Sequence, residues 1–134
     1  MLKLSCLCGQ VRIEVGKRPE FVHECNCALC EKTGARWGYF HPDEVSVEGS
    51  TTGYCRADKD DPSAQVRFCS TCGATTHFVL TPNAASQFGN TLMGVNMWLA
   101  DAEDLAGIEL RYPDGRGWSG SGDFAYVREA RILG

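Results

Sequence analysis

The apolar positions of this chain come in short runs that alternate with polar ones, and few of them recur at helical spacing. Val11, Ile13 and Val15 alternate with Arg12 and Glu14, which is the period of a strand with one buried face. Comparable runs predict strands over Leu2–Leu4, Val11–Val15, Phe21–Glu24, Trp37–Phe40, Val45–Val47, Thr52–Arg56, Val66–Phe68, Thr76–Leu80, Thr91–Trp98 and Ile108–Arg111. Two short helices are expected, Ala28 to Lys32 with Gly34 as its stop, and Ala100 to Leu105. Gly16–Glu20, Ala57–Ser63 and Pro113–Asp123 read as loops. No repeat or low-complexity tract breaks the pattern. The expectation is a mainly β domain of many short strands.

Composition narrows the picture. At 134 residues, residues 1–134 are expected to form one domain. A hydrophobic fraction of 43% beside a charged fraction of 22% is ordinary for a soluble globular protein. The net charge is −4 with histidine neutral, and thiolates on a metal deepen it. A nucleic-acid-binding module needs the opposite sign to neutralise phosphates, so no nucleic-acid partner is expected. No stretch approaches the ~20 apolar residues of a membrane span. Met1 to Ser5 lead into a cysteine cluster too quickly for a secretory signal. A cytoplasmic chain follows, in which thiols stay reduced and clustered cysteines mean metal more often than disulfides.

Seven of the eight cysteines fall into three clusters: Cys6-x-Cys8-Gly9, Cys25-x-Cys27-x-x-Cys30 and Cys69-x-x-Cys72-Gly73. Thiolates two or three residues apart converge on one soft cation, and tetrahedral zinc is the natural occupant. In an extended segment Cys6 and Cys8 face the same way, and Cys69 and Cys72 have the spacing of a metal knuckle. Gly9 and Gly73 let the backbone turn tightly behind each pair. Cys6, Cys8, Cys69 and Cys72 are therefore expected to close a four-thiolate structural zinc site. Four unrelated buried cysteines, or a redox-active C-x-x-C, are the bland alternatives. Cys25, Cys27 and Cys30 are expected to hold a second zinc with three ligands and one open position, which suits a catalytic and more labile metal. Two Zn²⁺ per chain are expected. His23, His41 or His77 could instead supply a fourth ligand and close the second site.

The three clusters, taken in order, carry a resemblance. Thr33-Gly34 follows the middle cluster, Phe68 precedes the last, and Gly94-Val95-Asn96 leads through Asp104-Leu105 to Asp114-Gly115. Over roughly residues 4 to 115 the chain resembles the glutathione-dependent formaldehyde-activating enzyme family, which also includes centromere protein V. The resemblance implies several short coiled antiparallel β-sheets stapled by a structural zinc. It also implies that glutathione's thiol meets formaldehyde at the Cys25, Cys27, Cys30 zinc to give S-hydroxymethylglutathione. That activity is a carbon–sulfur lyase, with a small-molecule thiol and an aldehyde as partners. Histidine beside or within the middle cluster is common in that family; here Glu24 precedes the cluster and His23 lies one further back. The alternatives are a non-catalytic zinc-stabilised binding module and, behind it, thiol redox chemistry, for which no cysteine follows Cys72.

Other signals read as structure. Gly115 to Gly120 matches G-x-G-x-x-G without the helix and distant acidic residue a dinucleotide site needs, so it reads as a flexible loop. Cys55 stands apart and is expected to be a small buried hydrophobe. Trp37, Tyr39 and Phe40 could wall a pocket, though core packing is the default. Lys32 and Arg36 are the cations nearest the middle cluster in sequence and could receive a carboxylate of glutathione; solvated surface is their default.

Overall fold

In the computed structural model, which describes residues 1–134, the alternating segments become eleven strands in two sheets. The chain order is β1 (Leu2–Ser5), β2 (Arg12–Val15), β3 (Phe21–His23), α1 (Ala28–Thr33), β4 (Trp37–Phe40), β5 (Val45–Glu48), β6 (Thr51–Cys55), β7 (Ala64–Cys69), β8 (Thr75–Leu80), α2 (Pro82–Phe88), β9 (Met93–Asn96), β10 (Glu109–Pro113) and β11 (Tyr126–Ile132). A small sheet has the order β1-β2-β5, and a large one the order β11-β10-β3-β4-β9-β8-β7-β6. Pairing is antiparallel except between β3 and β10. The fold is mainly β, as the alternation predicts.

The small sheet shows how pattern becomes packing. Leu2 and Leu4 lie opposite Val15 and Ile13, and all four are buried, while Lys3, Ser5, Arg12 and Glu14 are exposed. A slip of one residue would turn every apolar chain outward. This buried face joins Val22, Phe40, Val95 and Leu110 of the large sheet in one core cluster, where each fully buried aliphatic chain contributes about 1.5–3 kcal/mol.

β4 divides core from site. Phe40 enters the main core. Trp37 and Tyr39 join Val66 and Phe78 in a smaller cluster that contains Cys30 and touches Cys25 and Cys27. Alternate residues of one strand point to opposite faces, so a single element supports the core and floors the site. Gly94 in β9 pairs with Tyr39, and a Cβ there would run into the ring of Phe78. The bare backbone makes room for that ring.

Several expectations change. Ala100 to Leu105 is no α-helix; only Ala102–Leu105 winds, as a 3-10 turn, too short to present an apolar stripe. The run Thr91–Trp98 is strand only over Met93–Asn96, after which Asn96 caps a 3-10 turn by accepting from Trp98 N–H at 3.2 Å. The helix α2 is an addition, started by Thr81, whose Oγ1 accepts from Ala84 N–H at 3.3 Å, with Pro82 in its first turn. The strand β11 is another addition. All seven of its residues are exposed, so it carries none of the alternation that marks a half-buried strand. Cys55 is exposed at the end of β6, a strand on the edge of the large sheet, rather than buried: an edge strand has no neighbour to cover it. No helix is long and apolar enough to cross a membrane.

Candidate metal centres and the adjoining pocket

Two turns from different sheets meet at the first cysteine group. Cys6 and Cys8 sit in the turn between β1 and β2, Cys69 and Cys72 in the turn between β7 and β8. The turns share one construction. Gly9 N–H donates to Cys6 C=O at 3.1 Å with φ of 79°, and Gly73 N–H donates to Cys69 C=O at 2.9 Å with φ of 78°. That left-handed backbone is why glycine follows each pair. Cys6 Sγ lies 3.7 Å from Cys8 Sγ, which lies 3.7 Å from Cys69 Sγ. Val11 N–H donates to Cys6 Sγ at 3.2 Å, and Thr71 and Cys72 N–H donate to Cys69 Sγ at 3.4 Å. Cys72 is lowered to about 6, first by the N–H of Ala74. The four sulfurs are near enough to one another to share a metal ion.

The second group is built within six residues. Cys25 follows β3, and Cys27 is the N-cap of α1, accepting from Cys30 N–H at 3.4 Å. Gly34 ends the helix at φ of 66°, donating to Cys30 C=O at 3.1 Å. Cys27 and Cys30 Sγ approach to 3.0 Å, and Trp37 Nε1–H donates to Cys30 Sγ at 3.4 Å. The three sulfurs can also share a metal ion, and no carboxylate or histidine joins them. Hydrogen bonds from Cys25 and Cys30 pull the Cys27 thiol far below its usual range against the effect of burial, with help from Cys30 N–H and Arg56. Cys25 is pushed up chiefly by its hydrogen bond to Cys27, against a lowering from Cys30, and Cys30 is pushed up by its hydrogen bonds to Cys25 and Cys27 and by burial.

The histidines lie elsewhere. His41 caps the 3-10 turn Pro42–Glu44. His77 is buried and paired with Thr76 Oγ1 at 2.9 Å. His23 is buried beside the trio with Nδ1 3.0 Å from Tyr39 Oη. Burial first, and then Arg111 and Arg67 respectively, lower His23 and His77 to about 4, so both are neutral at pH 7. Burial also raises Tyr39, which keeps its proton. Tyr39 O–H donating to Nδ1 leaves the fewest groups unpaired, with Nε2 of His23 carrying the other proton. That Nε2 has no hydrogen-bond partner, and the ring of Phe124 stands edge-on to the imidazole at 5.6 Å.

A cavity of about 370 Å³ opens against the trio. It is lined by Trp37, Tyr39 and Phe78, by residues between Arg56 and Ala64, and by residues between Pro113 and Phe124. Trp37 and Tyr39 thus serve the pocket, whereas Phe40 is core. The cations suggested by sequence proximity are not those the fold supplies. Arg36 is buried, bound to Glu24 at 3.1 Å and stacked over Trp98 at 3.5 Å, and Lys32 faces a different depression. Arg56 and Lys59 line the pocket instead. Lys59 lies in the expected loop Ala57–Ser63 and Arg56 at the end of the expected strand Thr52–Arg56, with only the Arg-x-Asp-Lys charge run as a signal. The G-x-G-x-x-G stretch also faces the site, with Gly115 and Gly120 in its wall.

Residues 1–105 match the family described as glutathione-dependent formaldehyde-activating enzyme. The chain belongs to this family. A crystal structure of a Rhodobacter sphaeroides protein is similar, with a TM-score of 0.60 at 28% identity, over 80% of this chain and 97% of the other. No curated protein matches the chain. Family membership points to glutathione-dependent formaldehyde activation, and the matched residues contain all seven clustered cysteines.

Proposed function

We propose that the chain is a zinc-dependent carbon–sulfur lyase that interconverts glutathione plus formaldehyde with S-hydroxymethylglutathione. One observation carries the reading: three convergent cysteines, with no fourth protein ligand, face a cavity large enough for a substrate. Zinc suits both donor sets. Tetrahedral Zn–S bonds of about 2.3 Å put sulfurs about 3.8 Å apart, which the 3.7 Å separations in the four-cysteine group match. In the trio, Cys27 and Cys30 at 3.0 Å must spread to admit the same ion. Cys6, Cys8, Cys69 and Cys72 would hold a structural zinc; Cys25, Cys27 and Cys30 would hold a second, more labile one.

A zinc held by Cys25, Cys27 and Cys30 would lower the pKa of a thiol and so favour its nucleophilic thiolate near pH 7. The protein's own residues do the rest. Trp37 fixes Cys30 through its indole N–H. Arg56 and Lys59 line the wall where a carboxylate of the thiol would rest. His23 is neutral and lines the cavity, and its Nε2, buried with no partner, is a donor for the oxygen of a carbonyl or hydroxymethyl group. In the forward direction the sulfur–carbon bond forms, the carbonyl π bond breaks, and the thiol's proton ends on the new hydroxyl.

The test is elemental analysis joined to the adduct-forming rate. Two zinc ions per chain and a rise of S-hydroxymethylglutathione above the buffer rate, abolished in Cys27→Ser, are expected. Protein with both metals and no rate above buffer would instead favour a zinc-stabilised binding module.

A further inference from the structure

The family match ends at residue 105, yet one whole wall of the pocket comes from the loop Asp114–Phe124. The loop is tied down at its base and along its length. Asp114 N–H donates to Ala125 C=O at 2.7 Å. Asn26, between two of the trio's cysteines, donates from Nδ2 to Asp114 Oδ1 at 2.9 Å and accepts from Arg116 N–H at 2.9 Å. Arg116 also pairs with Glu31 of α1. Gly115 lies so close over the trio that a Cβ would run into Cys25 Sγ. Beyond this latch Trp118 and Phe124 stack with centroids 4.5 Å apart, and both face the cavity.

On the reading of function above, we propose that this loop is the specificity wall of the site. Trp118 and Phe124 give the cavity an apolar surface, and Arg56 and Lys59 line the same cavity. That arrangement fits an extended thiol with a carboxylate at one end, its sulfur at the trio and its methylenes against the two rings. A small neutral thiol reaches the trio without touching the wall. The loop therefore decides which thiol binds, and the cysteines decide only that a thiol binds. Trp118 and Phe124 are solvent-facing enough to be truncated without opening the core; Trp118 is 39% exposed.

The test uses the zinc-loaded full chain, with metal content measured before and after, and calorimetric titration with glutathione and with 2-mercaptoethanol. Trp118→Ala and Phe124→Ala are expected to keep both metals. Loss of one aromatic contact predicts roughly tenfold weaker glutathione binding and less than about twofold change for 2-mercaptoethanol. Unchanged glutathione binding, or equal losses for the two thiols, in variants that keep both metals overturns the wall alone. A wild type that binds neither thiol overturns the reading of the function and the wall with it.

Discussion

The two cysteine groups offer the same ligand chemistry, and on the proposed reading they serve opposite purposes because of what each connects. Cys6 and Cys8 reach Cys69 across sixty-one residues or more, joining the turn of the small sheet to a turn of the large one. A metal there closes a long loop and ties two layers of the core, so its binding free energy is folding free energy. Cys25, Cys27 and Cys30 are neighbours in sequence, already placed by β3, α1 and the Gly34 stop. A metal there would join nothing that the backbone has not joined, which is why the proposed reading gives it chemistry rather than folding.

The sharpest way to break this contrast is to remove one ligand from each group. Cys69→Ser is expected to give insoluble or unfolded protein, since a structural zinc contributes on the order of 10 kcal/mol, more than the net stability of most domains. Cys27→Ser should stay folded, with a melting temperature near wild type, one metal fewer and no catalysed adduct formation. Thermal melts and metal analysis decide; equal unfolding of the two variants ends the distinction.

Metal removal gives the next largest effect. With a chelator added stepwise, metal should leave the trio first, taking bound zinc from two to one per chain with the circular dichroism spectrum unchanged. The remaining ion should leave only as the spectrum collapses. Simultaneous loss of both would show that the trio is as structural as the clamp.

Acid attacks both groups by protonating thiolates, and His77 adds a term that belongs to the sheet alone. Its folded-state pKa of about 4 lies below its ordinary value of 6.5, so between those values the unfolded chain binds the proton more readily. The stabilisation is complete above pH 6.5 and is lost as pH falls through 4, on the order of 3 kcal/mol. Denaturant melts of His77→Gln against wild type should therefore show a flatter fall between pH 6.5 and 4. Identical slopes would mean that His77 is not held neutral by burial.

The smallest stability effect is expected at Gly115→Ala. The added Cβ meets Cys25 Sγ, so the trio should hold its metal more weakly while the unfolding midpoint moves by less than about 1 kcal/mol. A competition titration with a zinc indicator reads the first, and a chemical melt the second.

Much of the strand content was legible because alternation is a local consequence of one buried face, as in Arg12–Val15. Elements without that face were hidden. The strand β11 is exposed along its whole length, and α2 depends on Thr81 and Pro82 starting a helix in a stretch with little periodicity. The sulfur groups were legible from knuckle spacing and the glycines behind it. The pocket was not. Arg56 and Lys59 reach it through the β6–β7 loop, and Trp118 and Phe124 through a loop read as flexible. Cys55 and Arg36 misled for the same reason, since burial and partners are set by neighbours distant in sequence.

From sequence alone this protein's thiol clusters, mainly β class and family are determined, because each rests on residues a few positions apart whose geometry the local backbone dictates. Tertiary structure alone decided which charges face the trio, that His23 is buried beside Tyr39 with Nε2 unpaired, and that Asp114–Phe124 closes one side of the cavity. Those relations depend on the order of strands in the large sheet, which brings Asn26 to Asp114 across eighty-eight residues. No local spacing encodes a contact of that length.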